Sequence, residues 1–161
     1  MPWRSRSPDE TRALARALAA CAAPRAKGGA VVVTLHGALG AGKTVFAKGL
    51  AEGLGVPPER VASPTFVIAQ ELPTPAGPRL VHADWYRVED AAELEAAGLS
   101  DWLAPGTVLV VEWGERYPEA LPTDRLEVRL EAEDEHVRRV EARAGGPEAA
   151  AVEACWRERC P

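Results

Sequence analysis

Residues 30–35, AVVVTL, run directly into residues 36–44, HGALGAGKT. An apolar and β-branched run without polar alternation reads as a strand buried on both faces. From Gly37 the spacing is Gly-x-x-x-x-Gly-Lys-Thr, the pattern of a loop whose backbone amides surround phosphate groups. A strand covered on both faces needs helices on both sides. This one stretch therefore restricts the chain to an α/β fold with three layers and a largely parallel central sheet.

The rest of the chain agrees with that frame. Ser7, Pro8 and Glu10 form a helix start signal, and Leu14, Ala17, Leu18 and Cys21 then fall on one helical face. A second helix begins near Lys43 with an inward stripe of Phe46, Leu50 and Leu54, and ends at Gly55, Pro57 and Pro58. SPTFVIAQEL reads as loop then strand, and RLVHADWYRV as a strand. In EDAAELEAAGL, Asp90 can cap, Glu93 completes the box and Gly98 closes a short helix. TVLVVEWGE is another apolar strand. Residues 124–146 alternate about an acidic turn, the signature of an antiparallel hairpin expected at the sheet edge. A closing helix carries Val152, Cys155 and Trp156 on one face. The order is αβαββαβ, then a hairpin, with no internal linker, so residues 1–161 read as a single P-loop domain.

Composition narrows the function. Lys and Arg number 19 against 24 Asp and Glu, a net charge of −5. That balance excludes a chain that wraps DNA or grips RNA alone. No apolar run approaches a membrane span, and the first residues lack the apolar core of a secretion signal, so a cytoplasmic protein without membrane contact is expected. The three cysteines, Cys21, Cys155 and Cys160, have no metal-ligand spacing and are expected to be isolated reduced thiols.

The candidate nucleotide-binding set is Gly37, Ala38, Leu39, Gly40, Ala41, Gly42, Lys43, Thr44 and Val45. The glycines let the backbone approach the phosphates, and the helix behind adds the positive end of its dipole. Lys43 is expected on the β- and γ-phosphates and the Thr44 hydroxyl on Mg²⁺. A metal site of this kind also needs an acid at the carboxyl end of a neighbouring strand. Asp84, ending LVHAD, and Glu112, ending VLVVE, both qualify as metal ligand or as the group that orients the attacking water. Thr65, in ASPTF, stands where a nucleotide switch senses the γ-phosphate, or is simply part of a Ser-Pro-Thr turn. His82 shares a strand face with Asp84 and either orients it or packs; packing is the reading preferred here. His36 is expected to support the loop, and Arg87 to form an ion pair.

The chain resembles the TsaE family, formerly YjeE, the bacterial ATPases of threonylcarbamoyladenosine biosynthesis on tRNA. The resemblance rests on HGALGAGKTVFAKGLAEGLGV, VASPTFVIAQEL, HADWYRVEDAAELEAAGL, DWL and VLVVEWGERYPEALP, in that order across residues 35–122. It implies a small P-loop ATPase using ATP and Mg²⁺. Lys43 and Thr44 match its phosphate and magnesium residues, Glu112 the acid of its Glu-Trp motif, Asp84 the His-x-Asp acid and Thr65 its switch-like threonine. Thr11 falls near a stretch that reaches the nucleotide in the family. The implied partners are the proteins TsaB and TsaD, which modify adenosine 37 of tRNAs reading codons that begin with A; tRNA is met through that complex. Three positions depart from the family pattern: Ala38 replaces an acid, Val45 a second threonine, and Ala83 an aromatic residue.

Other P-loop proteins fit less well. A small-molecule or nucleoside kinase usually carries an arginine-rich lid, and Arg87 is the only basic residue between Asp84 and Glu112. A GTP switch reads guanine with Asn-Lys-x-Asp, and this chain has no Asn. A scaffold that binds without hydrolysing is separated by a turnover measurement.

Overall fold

The computed structural model describes residues 1–62, 68–75 and 77–161. Seven strands form one sheet in the order β1 (Trp3–Ser5), β7 (Arg138–Ala144), β6 (Leu126–Ala132), β2 (Val31–His36), β5 (Thr107–Glu112), β4 (Arg79–Asp84) and β3 (Ala69–Leu72). β6, β2, β5 and β4 run parallel; β3, β7 and β1 are antiparallel to their neighbours. The mostly apolar and almost fully buried β2 and β5 are the innermost pair, as strands buried on both faces must be.

Helices α1 (Pro8–Ala22), α2 (Lys43–Gly53) and α5 (Pro147–Arg159) cover one face. Val31, Val33, Leu35, Val108, Val110, Leu126 and Val128 point toward them. The short helices α3 (Ala92–Ala97) and α4 (Leu99–Trp102) lie on the opposite face, over Val32, Val81, Ala83, Leu109 and Val111. This is the three-layer P-loop arrangement with a C-terminal antiparallel hairpin.

Local signals explain most element ends. Ser7 Oγ accepts the Glu10 amide at 3.1 Å, capping α1. Glu10 reaches back to the Arg6 amide rather than to that of Ser7. Phe46 and Leu50 are fully buried on the expected stripe of α2. Asp90 Oδ1 accepts the Ala92 amide at 2.9 Å, and Gly98, at φ +122°, separates α3 from α4.

The structure corrects two expectations and adds one strand. The hairpin does not lie at the edge, because β6 pairs directly with β2 and the short strand β1 covers β7. β1 is only three residues long and carries no period that marks it in the sequence. Cys21 and Cys155 are not isolated thiols: they form a disulfide, Cα atoms 5.8 Å apart, that links α1 to α5. Cys160 is the free cysteine. The pair lies 134 residues apart, so no spacing rule could join it; only the packing of the two helices does.

Candidate functional site

The carboxyl ends of β2, β4 and β5 meet in one place. In parallel α/β sheets this is the end at which ligands bind. β2 stops at His36, and the glycine loop turns back over the sheet. Gly37, Gly40 and Gly42 all have positive φ, at 149°, 80° and 104°. At Gly37 a side chain has no room: a Cβ would lie 2.4 Å from the Leu130 carbonyl oxygen. Leu39 stands out at the loop tip, 77% exposed. Gly42 caps α2, so the first amides of that helix point into the loop.

Lys43 is the first residue of α2 and is 5% exposed. Its Nζ donates to the Gly37 carbonyl at 2.7 Å and lies 3.7 Å from the centre of the Trp113 ring. Burial lowers the affinity of this ammonium for its proton; Glu112, Glu115 and Asp84 act in the opposite direction. Trp113 is the one non-glycine residue at positive φ, 62°, among the described residues. That backbone geometry costs about 1–2 kcal/mol, and it turns the chain after Glu112 so that the indole lies against Lys43. Tyr86 packs on the same indole at 5.0 Å.

Asp84 and Glu112 end adjacent parallel strands in direct register. Two acids are thus side by side next to a buried lysine. Burial raises the Asp84 carboxyl above its ordinary range, against the pull of the Tyr86 amide, and the neighbouring Glu112 charge adds to the rise. Glu112 is only 3% exposed and accepts a 2.6 Å hydrogen bond from His82 Nε2. His82 is packed inside the sheet, 1% exposed, as preferred, and it also bonds a carboxylate; that partner is Glu112, not Asp84. The signal was present in the parallel register of β4 and β5, which a single sequence does not display. His36, expected to support the loop, instead bonds Thr34 Oγ1 of its own strand at 2.8 Å and approaches Glu115 at 3.5 Å.

The remaining candidates fall on the other side of the loop. Thr11, Gly40, Gly42 and Val45 line a cavity of about 290 Å³, closed by Ser7, Pro8 and by Glu135, His136 and Arg138 of the β6–β7 hairpin. The Thr11 hydroxyl is held by Ser5 at 2.6 Å. Arg138 donates to the Gly40 carbonyl at 3.4 Å, which ties the hairpin to the loop. The alternating pattern of that hairpin marks strands, not a cavity wall, so these residues were not foreseen. Arg87 is exposed. Thr65 lies outside the described residues.

The donor set suits Mg²⁺ rather than a cation caged by protein alone. Among the described residues no group of three or more His, Cys, Asp or Glu side chains could hold a metal ion. Mg²⁺ needs only one or two carboxylates when phosphates complete its shell. The mutual repulsion of Asp84 and Glu112 is what a cation between them would relieve.

Known proteins resemble the whole arrangement. The family model described as "Threonylcarbamoyl adenosine biosynthesis protein TsaE" matches residues 5–140. A tRNA threonylcarbamoyladenosine biosynthesis protein TsaE of Bacillus subtilis is 41% identical over 146 residues, 91% of this chain and 87% of that protein. Its namesake in Streptomyces coelicolor is 49% identical over 102 residues, 62% of this chain and 68% of that one. The crystal structure of Bacillus subtilis YdiB superposes with a TM-score of 0.73 at 32% identity, covering 99% of this chain and 95% of its own. With the glycine loop, the paired acids and the fold all on the same frame, the chain belongs to the TsaE family of tRNA threonylcarbamoyladenosine biosynthesis proteins.

Proposed function

We propose that this protein is a Mg²⁺-dependent ATPase that acts with TsaB and TsaD in threonylcarbamoylation of adenosine 37 of tRNA. The observation that carries the reading is the juxtaposition of Lys43, at the start of α2, with Asp84 and Glu112 at the ends of β4 and β5. The glycine-loop amides from Ala38 to Thr44 surround the phosphates, and the α2 dipole favours their charge. The Lys43 ammonium bridges the β- and γ-phosphates. The cavity beside Thr11, Gly40, Gly42 and Val45 takes the base and ribose. Thr65 senses the γ-phosphate.

Thr44, Asp84 and Glu112 would hold Mg²⁺, which supplies charge neutralisation on the phosphate oxygens. Glu112 orients the attacking water, and Lys43 stabilises the charge that develops on the transferred group. Hydrolysis by the isolated chain is slow, because a site open to solvent lacks full transition-state stabilisation. A docked partner closes the site, and the hydrolysis cycle supports turnover of the transferase assembly. The chain transfers no group itself and works in the cytoplasm. The test is turnover of Mg-ATP with and without TsaB and TsaD. Release of phosphate that rises on assembly is expected; phosphorylation of a small metabolite by this chain alone would contradict the reading.

A further inference from the structure

Glu112 is 3% exposed, and a carboxylate so buried needs a donor or a counter-charge. Two groups compete for it. One is the Lys43 ammonium, on which Glu112 acts more strongly than either Glu115 or Asp84. The other is His82, 1% exposed, whose Nε2 lies 2.6 Å from Glu112 Oε2. The carboxylate is bonded to the imidazole, while the Lys43 ammonium sits on the Gly37 carbonyl and the Trp113 ring.

The imidazole is a costly choice for mere packing. Position 82 shares a sheet face with Leu80 and pairs with Val110, so an apolar side chain would fill the same space. As histidine it leaves Nδ1 buried with no hydrogen-bond partner among the described residues. An ionised carboxylate has no proton to give, so Nε2 carries the N–H, and in the neutral imidazole Nδ1 then carries the lone pair. An unmet acceptor is the more tolerable orphan, and it fixes the tautomer.

We propose that His82 is a positioning residue for Glu112. It commits Oε2, prevents the carboxylate from closing onto the Lys43 ammonium, and leaves Oε1 to face water or Mg²⁺. The proposal rests on the ATPase reading for its consequence, but not for its geometry. Two measurements on the full chain separate them. The first is independent of activity. With ¹⁵N-labelled histidine the chain gives three imidazoles, and His82→Gln identifies the one concerned. Its spectrum is expected to be that of the Nε2–H tautomer and to shift in Glu112→Gln. An Nδ1–H tautomer, or a signal indifferent to Glu112→Gln, would overturn the positioning role.

The second is kinetic. His82→Leu is expected to lower kcat for Mg-ATP hydrolysis by about tenfold or more, because misplacing a reacting group is costly. ADP affinity in EDTA should stay within about twofold, since transition-state and ground-state interactions separate in this way. His82→Gln, which keeps a donor near Nε2, should recover most of the rate. A Leu variant with the wild-type kcat would contradict the proposal. So would losses of rate, metal-free affinity and melting temperature in parallel without rescue by Gln, which is the signature of a merely structural residue. A wild-type chain that hydrolyses no ATP, with the expected imidazole spectrum, would refute the ATPase reading and leave the His82–Glu112 geometry standing.

Discussion

Lys43 is buried, but its ammonium rests on a carbonyl and an indole face at the loop, so truncating it should leave the fold intact. One charge-assisted hydrogen bond to phosphate is worth about 1.5–3 kcal/mol, or roughly ten- to a hundredfold in affinity. Calorimetry of Lys43→Ala with Mg-ATP should show that loss; wild-type affinity in the variant would remove the glycine loop from the mechanism. Glu112→Ala should behave differently. In the proposed mechanism its carboxylate contributes when charge develops, so kcat should fall about a hundredfold while binding changes little. If Asp84→Ala abolishes turnover and Glu112→Ala does not, the two acids have exchanged roles. Asp84 also makes a pH-dependent prediction. Burial and Glu112 raise its folded-state pKa above the unfolded value. Its contribution to stability is then fully present below the unfolded value, about 3.9, and is lost as pH rises through the folded one. At neutral pH the ionised carboxylate is therefore a net cost. Asp84→Asn keeps the acceptor for the Tyr86 amide, which bonds Oδ1 at 2.9 Å, and removes the charge. Melting in EDTA should show the Asp84→Asn variant more stable than wild type near neutral pH, with the gain vanishing toward about pH 4; a variant less stable at neutral pH would contradict the repulsion.

Among the elements, α2 carries both the glycine loop's helix and a close contact with α1. Gly49 and Gly53 sit one turn apart against Ala15 and Ala19. A Cβ at Gly49 would lie 2.5 Å from the Arg12 carbonyl oxygen and 2.7 Å from the Ala15 Cβ. Ion pairs from Arg12 and Arg16 to Glu52 close the seam above them. Gly49→Ala would gain helix propensity elsewhere, but here it forces the helices apart. Overpacking of this kind costs about 1–3 kcal/mol, and urea unfolding should show that loss. An Ala variant as stable as wild type would mean that α1 and α2 do not approach as described. The sequence displayed the apolar stripe Phe46, Leu50 and Leu54 because burial imposes a period of 3.6. It hid the glycine seam, since a missing side chain leaves no hydropathy signal. The same contrast explains the hairpin. Alternation along β6 and β7 announced two strands, yet not that β6 would pair with β2, because partner choice in a sheet is decided by contacts distant in sequence. The loop residues, the acid at each strand end and the caps were legible because each follows a local rule. Trp113 over Lys43 and His82 on Glu112 were not, because each depends on the register of one strand beside another.

At the scale of the whole molecule, the Cys21–Cys155 bond ties the first long helix to the last one. Disulfides typically stabilise by about 2–4 kcal/mol. Alkylation of the unreduced, unfolded chain should label Cys160 alone, and reductant should lower the melting temperature; labelling of all three cysteines would restore the expectation of isolated thiols. The net charge of −5 speaks against an independent grip on tRNA, which supports the proposal that the ATP cycle acts through another protein. Reconstitution with TsaB, TsaD, tRNA and threonylcarbamoyl-adenylate tests that directly, with modified tRNA counted against the concentration of the assembly. The wild-type chain should hydrolyse ATP faster on assembly and sustain many modifications per complex, whereas Lys43→Ala should stop after the first round. Equal modification over many turnovers with Lys43→Ala would contradict an ATPase whose hydrolysis drives the cycle.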